Sequence, residues 1–233
     1  MTESPGTTAR ELLDEARQEL ADTDAAIRAH PFLDRLRRGE VSTELLRALA
    51  GEQHVIISSD RRSFSQLATR FSSGLGGDFF LGMAEGEGIA LGKLGTFADW
   101  LGMSSDDFRQ YEPRPGAHAY PAYVAWLALN GSRTDVALAF LVNLAAWGSN
   151  CGRVAAALRE VYAAPEQAVA FFEFFASPPP DFESQALAVI DEGLATGDSP
   201  LRARRAARLL QAYELMFWDA FEEPNSTIRK GEG

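Results

Sequence analysis

A chain of 233 residues with 46% hydrophobic side chains is long enough for one large domain and can bury a sizeable core. Its 33 acidic against 22 basic residues leave a net charge of -11, which argues against nucleic acid as a partner, because phosphate binding needs a basic face. A single cysteine, Cys151, excludes an internal disulfide and a cysteine-rich metal site, and no apolar run reaches the length of a membrane span.

Residues 1–8 are polar, carry Pro and Gly, and are expected to be disordered. They lack the basic and apolar regions of a signal peptide, so a cytoplasmic location is expected. From Ala9 a first helix runs through Leu12, Leu13, Ala16, Leu20 and Ile27, all at helical spacing. His30-Pro31 breaks it, since the residue before a proline avoids the helical region. A short piece from Pro31 to Arg38 stops at Gly39, and Ser42 or Thr43 caps a long helix from Glu44 to about Phe71. Gly74, Gly76 and Gly77 form a turn, and a helix follows over 79–101 despite its glycines. Gly88, Gly92 and Gly95 share one face of it. Each costs about 1 kcal/mol relative to alanine inside a helix, so that face is expected to admit a close neighbouring helix or, less commonly, a ligand.

Ser104 caps a short helix to Tyr111, ahead of a proline-rich loop over 112–116. Two helices, around Tyr120–Leu129 and Thr134–Tyr162, are joined by Asn130-Gly131-Ser132. Pro165 opens a helix rich in phenylalanine (Phe171, Phe172, Phe174, Phe175), which Pro178-Pro179-Pro180 ends. A helix through Phe182, Leu187 and Ile190 leads to the turn at Gly197. Residues 224–233 read as a polar tail. Strand-like alternation is nearly absent and no repeat of solenoid length is visible, so 9–223 is expected to be one all-α helical bundle.

The closing helix is the most informative stretch. Ser199 and Pro200 mark its start, and from Leu209 to Phe221 apolar residues occur on every side, as in a helix surrounded by protein. Glu214 lies on the same stripe as Leu210, Phe217 and Phe221. A carboxylate there has to be paired, hydrogen-bonded or protonated. It is the first candidate for chemistry, with a purely structural glutamate about equally compatible. His54, next to Gln53 on an apolar helix, can relay a proton near neutral pH, or simply bridge two helices. A His54–Glu214 pair would combine an acid and a base. Trp126, Trp147, Phe171, Phe174, Phe175, Tyr213 and Trp218 read as core, some of them lining a pocket for a flat or apolar ligand.

Several stretches together carry a family resemblance. His30-Pro31-Phe32-Leu33 with Gly39, Gln53, Ala119-Tyr120-Pro121-Ala122-Tyr123-Val124 with Gly131-Ser132, and Tyr213-Glu214-Leu215-Met216-Phe217-Trp218 resemble, in order and spacing, motifs of the TenA/thiaminase II family. The resemblance covers about His30 to Phe221 and implies the helical fold shared with haem oxygenase and pyrroloquinoline-quinone synthase. It also implies hydrolysis of aminopyrimidines in thiamin salvage, with Glu214 as the closing-helix glutamate and Tyr120 as a pocket tyrosine. Gln53, Tyr123, Trp147, Phe175, Tyr213 and Phe217 are the accompanying substrate-binding candidates. The family's cysteine nucleophile falls in a segment whose counterpart here is about Val142-Asn143-Leu144, and its aspartate position carries His54. Neither leucine nor asparagine can replace a thiol that attacks carbon and later departs.

Relatives of this fold that bind two irons need several histidines spaced against acids on the core helices. Here Gly92 stands near one expected histidine on the Glu85/Glu87 helix, and the closing helix has none. His30 belongs to the structural motif, which leaves haem without a ligand. No metal and no cofactor are therefore expected. Two functions remain: a metal-free TenA-like enzyme using Glu214, His54 and Tyr120 on a heteroaromatic or related metabolite, or a small-molecule-binding protein on the same scaffold. The resemblance further implies a homodimer or homotetramer.

Overall fold

Capping residues and prolines set most helix boundaries in the computed structural model, which describes residues 7–222. Eleven helices and no strand are present among the described residues. They are α1 (Ala9–Glu19), α2 (Ala21–Arg28), α3 (Pro31–Arg37), α4 (Thr43–Arg70), α5 (Leu75–Trp100) and α6 (Ser105–Gln110), followed by α7 (Pro115–Asn130), α8 (Arg133–Glu160), α9 (Glu166–Ala176), α10 (Phe182–Ala195) and α11 (Pro200–Asp219). Thr8, Ser104 and Ser132 form reciprocal capping boxes with Glu11, Asp107 and Asp135. Thr8, expected to belong to a disordered tail, is thus the cap of α1; residues 1–6 and the 224–233 tail lie outside the described residues.

The expected first helix is two. Leu20, buried and with ψ at 4°, bends the chain between α1 and α2, though no Gly or Pro announces it. The bend lets this strap touch α10, α8 and α11 in turn. His30 then acts structurally: its Nδ1 accepts from the Phe32 N–H at 3.3 Å, and its Nε2 lies 3.1 Å from Asp219 at the end of α11. The loop expected over 112–116 is shorter, because Pro115 takes the first helical position of α7, where its missing N–H is not needed.

The helix surrounded by protein is α8, not α11. Every residue from Thr134 to Asn143 is buried, while α11 keeps Ala212, Met216 and Asp219 exposed along one edge. Around α8 pack α9, α10 and α11; α4 lies against α5 and α7 to complete the bundle. Trp126 is half exposed instead of core, and lies flat on Tyr123 at 5.7 Å between ring centres. The glycine face of α5 meets no helix: a Cβ at Gly92 or Gly95 would find nothing within 4 Å, and one at Gly88 would meet only the Arg61 guanidinium. Among the described residues no helix is long and apolar enough to cross a membrane.

Candidate functional site

Glu214 stands on the buried stripe of α11, with 3% of its surface exposed. One turn on, the Trp218 Nε1–H donates to its Oε1 at 2.9 Å, and the Asn143 amide on α8 donates to its Oε2 at 3.4 Å. The same amide donates to Gln211 Oε1 at 3.0 Å, while Asn143 Oδ1 accepts from the Tyr120 hydroxyl of α7 at 2.9 Å. Asn143 therefore ties α7, α8 and α11 together and fixes the carboxyl group. Burial pushes the Glu214 pKa up to about 7, and the bonds from Trp218 and Asn143 only partly oppose it. Burial, then the neighbouring Asp60, Glu214 and Glu87 charges, hold the Tyr120 phenol far above its ordinary range. Cys151 is fully buried and its thiol is pushed up as well, first by burial and then by Glu214, so it offers no nucleophilic thiolate.

Glu214 faces a small cavity of about 30 Å³. That is room for a water molecule or two. Of the residues expected at a site, Gln53, Tyr120, Trp147, Phe175 and Phe217 line it together with Glu214. Leu144, set by the motif against the family's cysteine, is on the wall too, so the wall there is aliphatic.

Three expected site residues lie elsewhere. His54 is half-buried and stacks on Phe108 of α6, with ring centres 4.4 Å apart. Burial lowers its pKa, and it is not on the cavity wall, so no His54–Glu214 pair forms there. Tyr123 and Tyr213 pack on each other at 5.1 Å beside Trp126, on the α7–α11 face outside the cavity.

Two acids on the wall were not expected: Asp60 of α4 and Glu87 of α5. Asp60 is 3% exposed, and its Oδ1 has no hydrogen-bond partner. Glu87 is half-buried along its stem, but its Oε2 is sealed from solvent and also lacks a partner. Burial raises both pKa values, and for Asp60 the charge of Glu87 adds to it; Arg62, exposed on α4, offsets this least. Among the described residues, no Lys, Arg or His lines the cavity. A sequence signal existed. Asp60 continues the Gln53–Ile56–Ile57 stripe of α4, and Glu87 the Phe80–Ala84–Leu94 stripe of α5, the same acid-on-an-apolar-stripe pattern that singled out Glu214. Among the described residues, no group of three or more His, Cys, Asp or Glu is placed to hold one metal ion.

Residues 17–223 match the model of the TENA/THI-4/PQQC family. The chain belongs to that family. No curated protein matches the sequence. Among solved structures, a TenA homologue from Pseudomonas syringae pv. tomato superposes with a TM-score of 0.79 at 13% identity, over 94% of this chain and 97% of that one. A TenA homologue from Pyrococcus furiosus gives 0.72 at 20% identity, over 90% and 99%. A domain from Shewanella denitrificans with a haem-oxygenase-like fold gives 0.71 at 14% identity, over 90% of each chain. At such identities these likenesses speak to the fold, which is the haem-oxygenase-like bundle of the TENA/THI-4/PQQC family. Within it, this member presents a cavity with three carboxyl groups, aromatic walls and no thiol.

Proposed function

We propose that this TENA/THI-4/PQQC protein is a small-molecule enzyme that uses Glu214 as a general acid and base on a flat heteroaromatic metabolite. One observation carries the reading: a buried carboxyl group on the cavity wall, held by two N–H donors, with its pKa raised to about 7. Such a group can take and return a proton near neutral pH, which an ordinary glutamate does poorly. Tyr120 acts through Asn143, fixing the amide that holds Glu214, and so is a positioning residue. With Leu144 on the wall and Cys151 buried and protonated, the nucleophile is a water molecule activated by Glu214. Hydrolysis of an aminopyrimidine, as the family resemblance implies, is the specific form of this chemistry. A substrate larger than water enters only if the aromatic wall gives way, and Phe175 on the last turn of α9 is the side chain best placed to move.

Binding without turnover is the second reading, favoured by the position of His54, which leaves Glu214 without a basic partner at the cavity. One experiment separates them. Purified protein is incubated with aminopyrimidines bearing aminomethyl or formylaminomethyl groups, and the products are followed by liquid chromatography and mass spectrometry. The enzyme reading expects hydrolysis that falls by about 100-fold or more in Glu214→Gln, with unchanged far-UV circular dichroism. Equal activity in the variant overturns it. Recovery of tightly bound but unaltered pyrimidine from the unsubstituted protein favours the second reading.

A further inference from the structure

Each Glu214 oxygen has a donor, from Trp218 or Asn143, but the other two acids on the cavity wall are not satisfied. Asp60 and Glu87 come from adjacent helices and each leaves one sealed carboxyl oxygen without a donor. Folded proteins rarely leave buried polar atoms unpaired, because each forfeits the hydration it had in the unfolded chain. Ionising both would add like-charge repulsion to that cost, so burial and repulsion hold the pair in its protonated form near neutral pH. Asparagine, glutamine or leucine would fill the same space without it, so the pair is a feature that folding alone does not call for.

We infer that the Asp60–Glu87 end of the cavity is a subsite for a protonated amine carried on a flat apolar body. The inference rests on the reading of the cavity as a small-molecule site. An alkylammonium brings up to three N–H donors and one positive charge, enough to serve both free oxygens and to offset the charge of a carboxylate that gives up its proton to solvent on binding. A hydroxyl could serve one oxygen and brings no charge to stabilise an ionised carboxylate beside it. A metal ion is poorly served, because among the described residues no third His, Cys, Asp or Glu is placed to share it. An ammonium group is about the size of a water molecule, for which the cavity has room. The aromatic walls of Trp147, Phe175 and Phe217 suit both the flat body and the cation. Anchored at this end, the ligand presents its remainder to Glu214.

The test is calorimetric titration of the full-length protein at neutral pH with three probes of one shape: 2-phenylethylamine, 2-phenylethanol and 3-phenylpropionate. The amine is expected to bind about tenfold or more tighter than the alcohol, with the propionate weakest. Asp60→Asn and Glu87→Gln are each expected to weaken the amine by about tenfold and leave the alcohol within about twofold. Both are near-isosteric, and circular dichroism verifies their fold. Alcohol bound as tightly as amine, an amine preference that survives in both variants, or no binding of the amine at millimolar concentration overturns the inference. The Glu214→Gln variant keeps the two readings apart. If it loses turnover while the amine preference is absent, only the subsite falls; if its turnover is unchanged while the preference holds, only the catalytic role does.

Discussion

Asn143 decides how Glu214 behaves. The carboxyl group is drawn toward its neutral form by burial and toward its charged form by two N–H donors, one of which is the Asn143 amide. Asn143 also serves Tyr120 and Gln211, whose own Nε2 is already without a partner. Truncating Asn143 to alanine strands a buried hydroxyl and a buried amide oxygen, at a cost of about 2–3 kcal/mol in urea-unfolding free energy. It also removes a bond to the charged form, so the Glu214 pKa rises further, which infrared titration of the protonated carboxyl band reads directly. Unchanged stability and an unmoved titration would mean that the network does not hold the acid. The stripe pattern that exposed Glu214 in the sequence was equally available for Asp60 and Glu87. Glu87 is flanked by glycines and Asp60 by Arg61 and Arg62, surroundings that look like a solvated face.

At the scale of the helices, glycine has two opposite meanings here. On α5 the expected reason for Gly92 and Gly95 was a close neighbour, yet a side chain at either position would meet open space. Replacing each with alanine should therefore raise stability by about 0.5–1 kcal/mol, through lost freedom of the unfolded chain and better helix propensity. Gly148 on α8 is the contrary case. A Cβ there would lie 2.7 Å from the Phe175 carbonyl oxygen, which is backbone and cannot swing aside. Gly148→Ala should destabilise by about 1–3 kcal/mol and displace the last turn of α9, which carries a cavity wall. A shift in Trp147 emission would accompany it, since Trp147 packs edge-on to Phe175 at 5.9 Å. Nothing in the local sequence separates Gly148 from Gly92; only the path of α9 does. Helix starts were legible for the same reason inverted: Ser42, Ser104 and Ser199 act on their own next turn.

For the whole molecule, the all-α bundle and the burial of Glu214 were legible because both follow from period and composition. The rotation of one helix against another was not. His54 and Gln53 are neighbours on α4, yet one stacks on α6 and the other faces the cavity. That division depends on α5 and α7 packing against α4, which no local pattern records. The same packing encloses three acids, and their joint effect is a property of the entire fold. Burial raises the pKa of Glu214, Asp60 and Glu87 above the values they have in the unfolded chain. Between the unfolded values and the raised ones the native state holds more protons than the unfolded state, so stability must decrease as pH rises. The contribution is fully present below the ordinary carboxylate range and is lost as pH climbs through about 7, where Glu214 ionises. Glu11, Asp107 and Glu183 are shifted the other way by their hydrogen bonds, but they lie at the surface and act on the acid side. Urea unfolding should accordingly show a loss of about 2 kcal/mol or more between pH 5.5 and 8.5, one pKa unit being worth about 1.4 kcal/mol. The net charge of -11 pushes in the same direction by general repulsion. The Asp60→Asn, Glu87→Gln double variant isolates the share of the Asp60–Glu87 pair, since it removes that pair and changes the overall charge little. Its profile should be clearly flatter; a slope equal to that of the unsubstituted protein would leave the Asp60–Glu87 pair without energetic consequence.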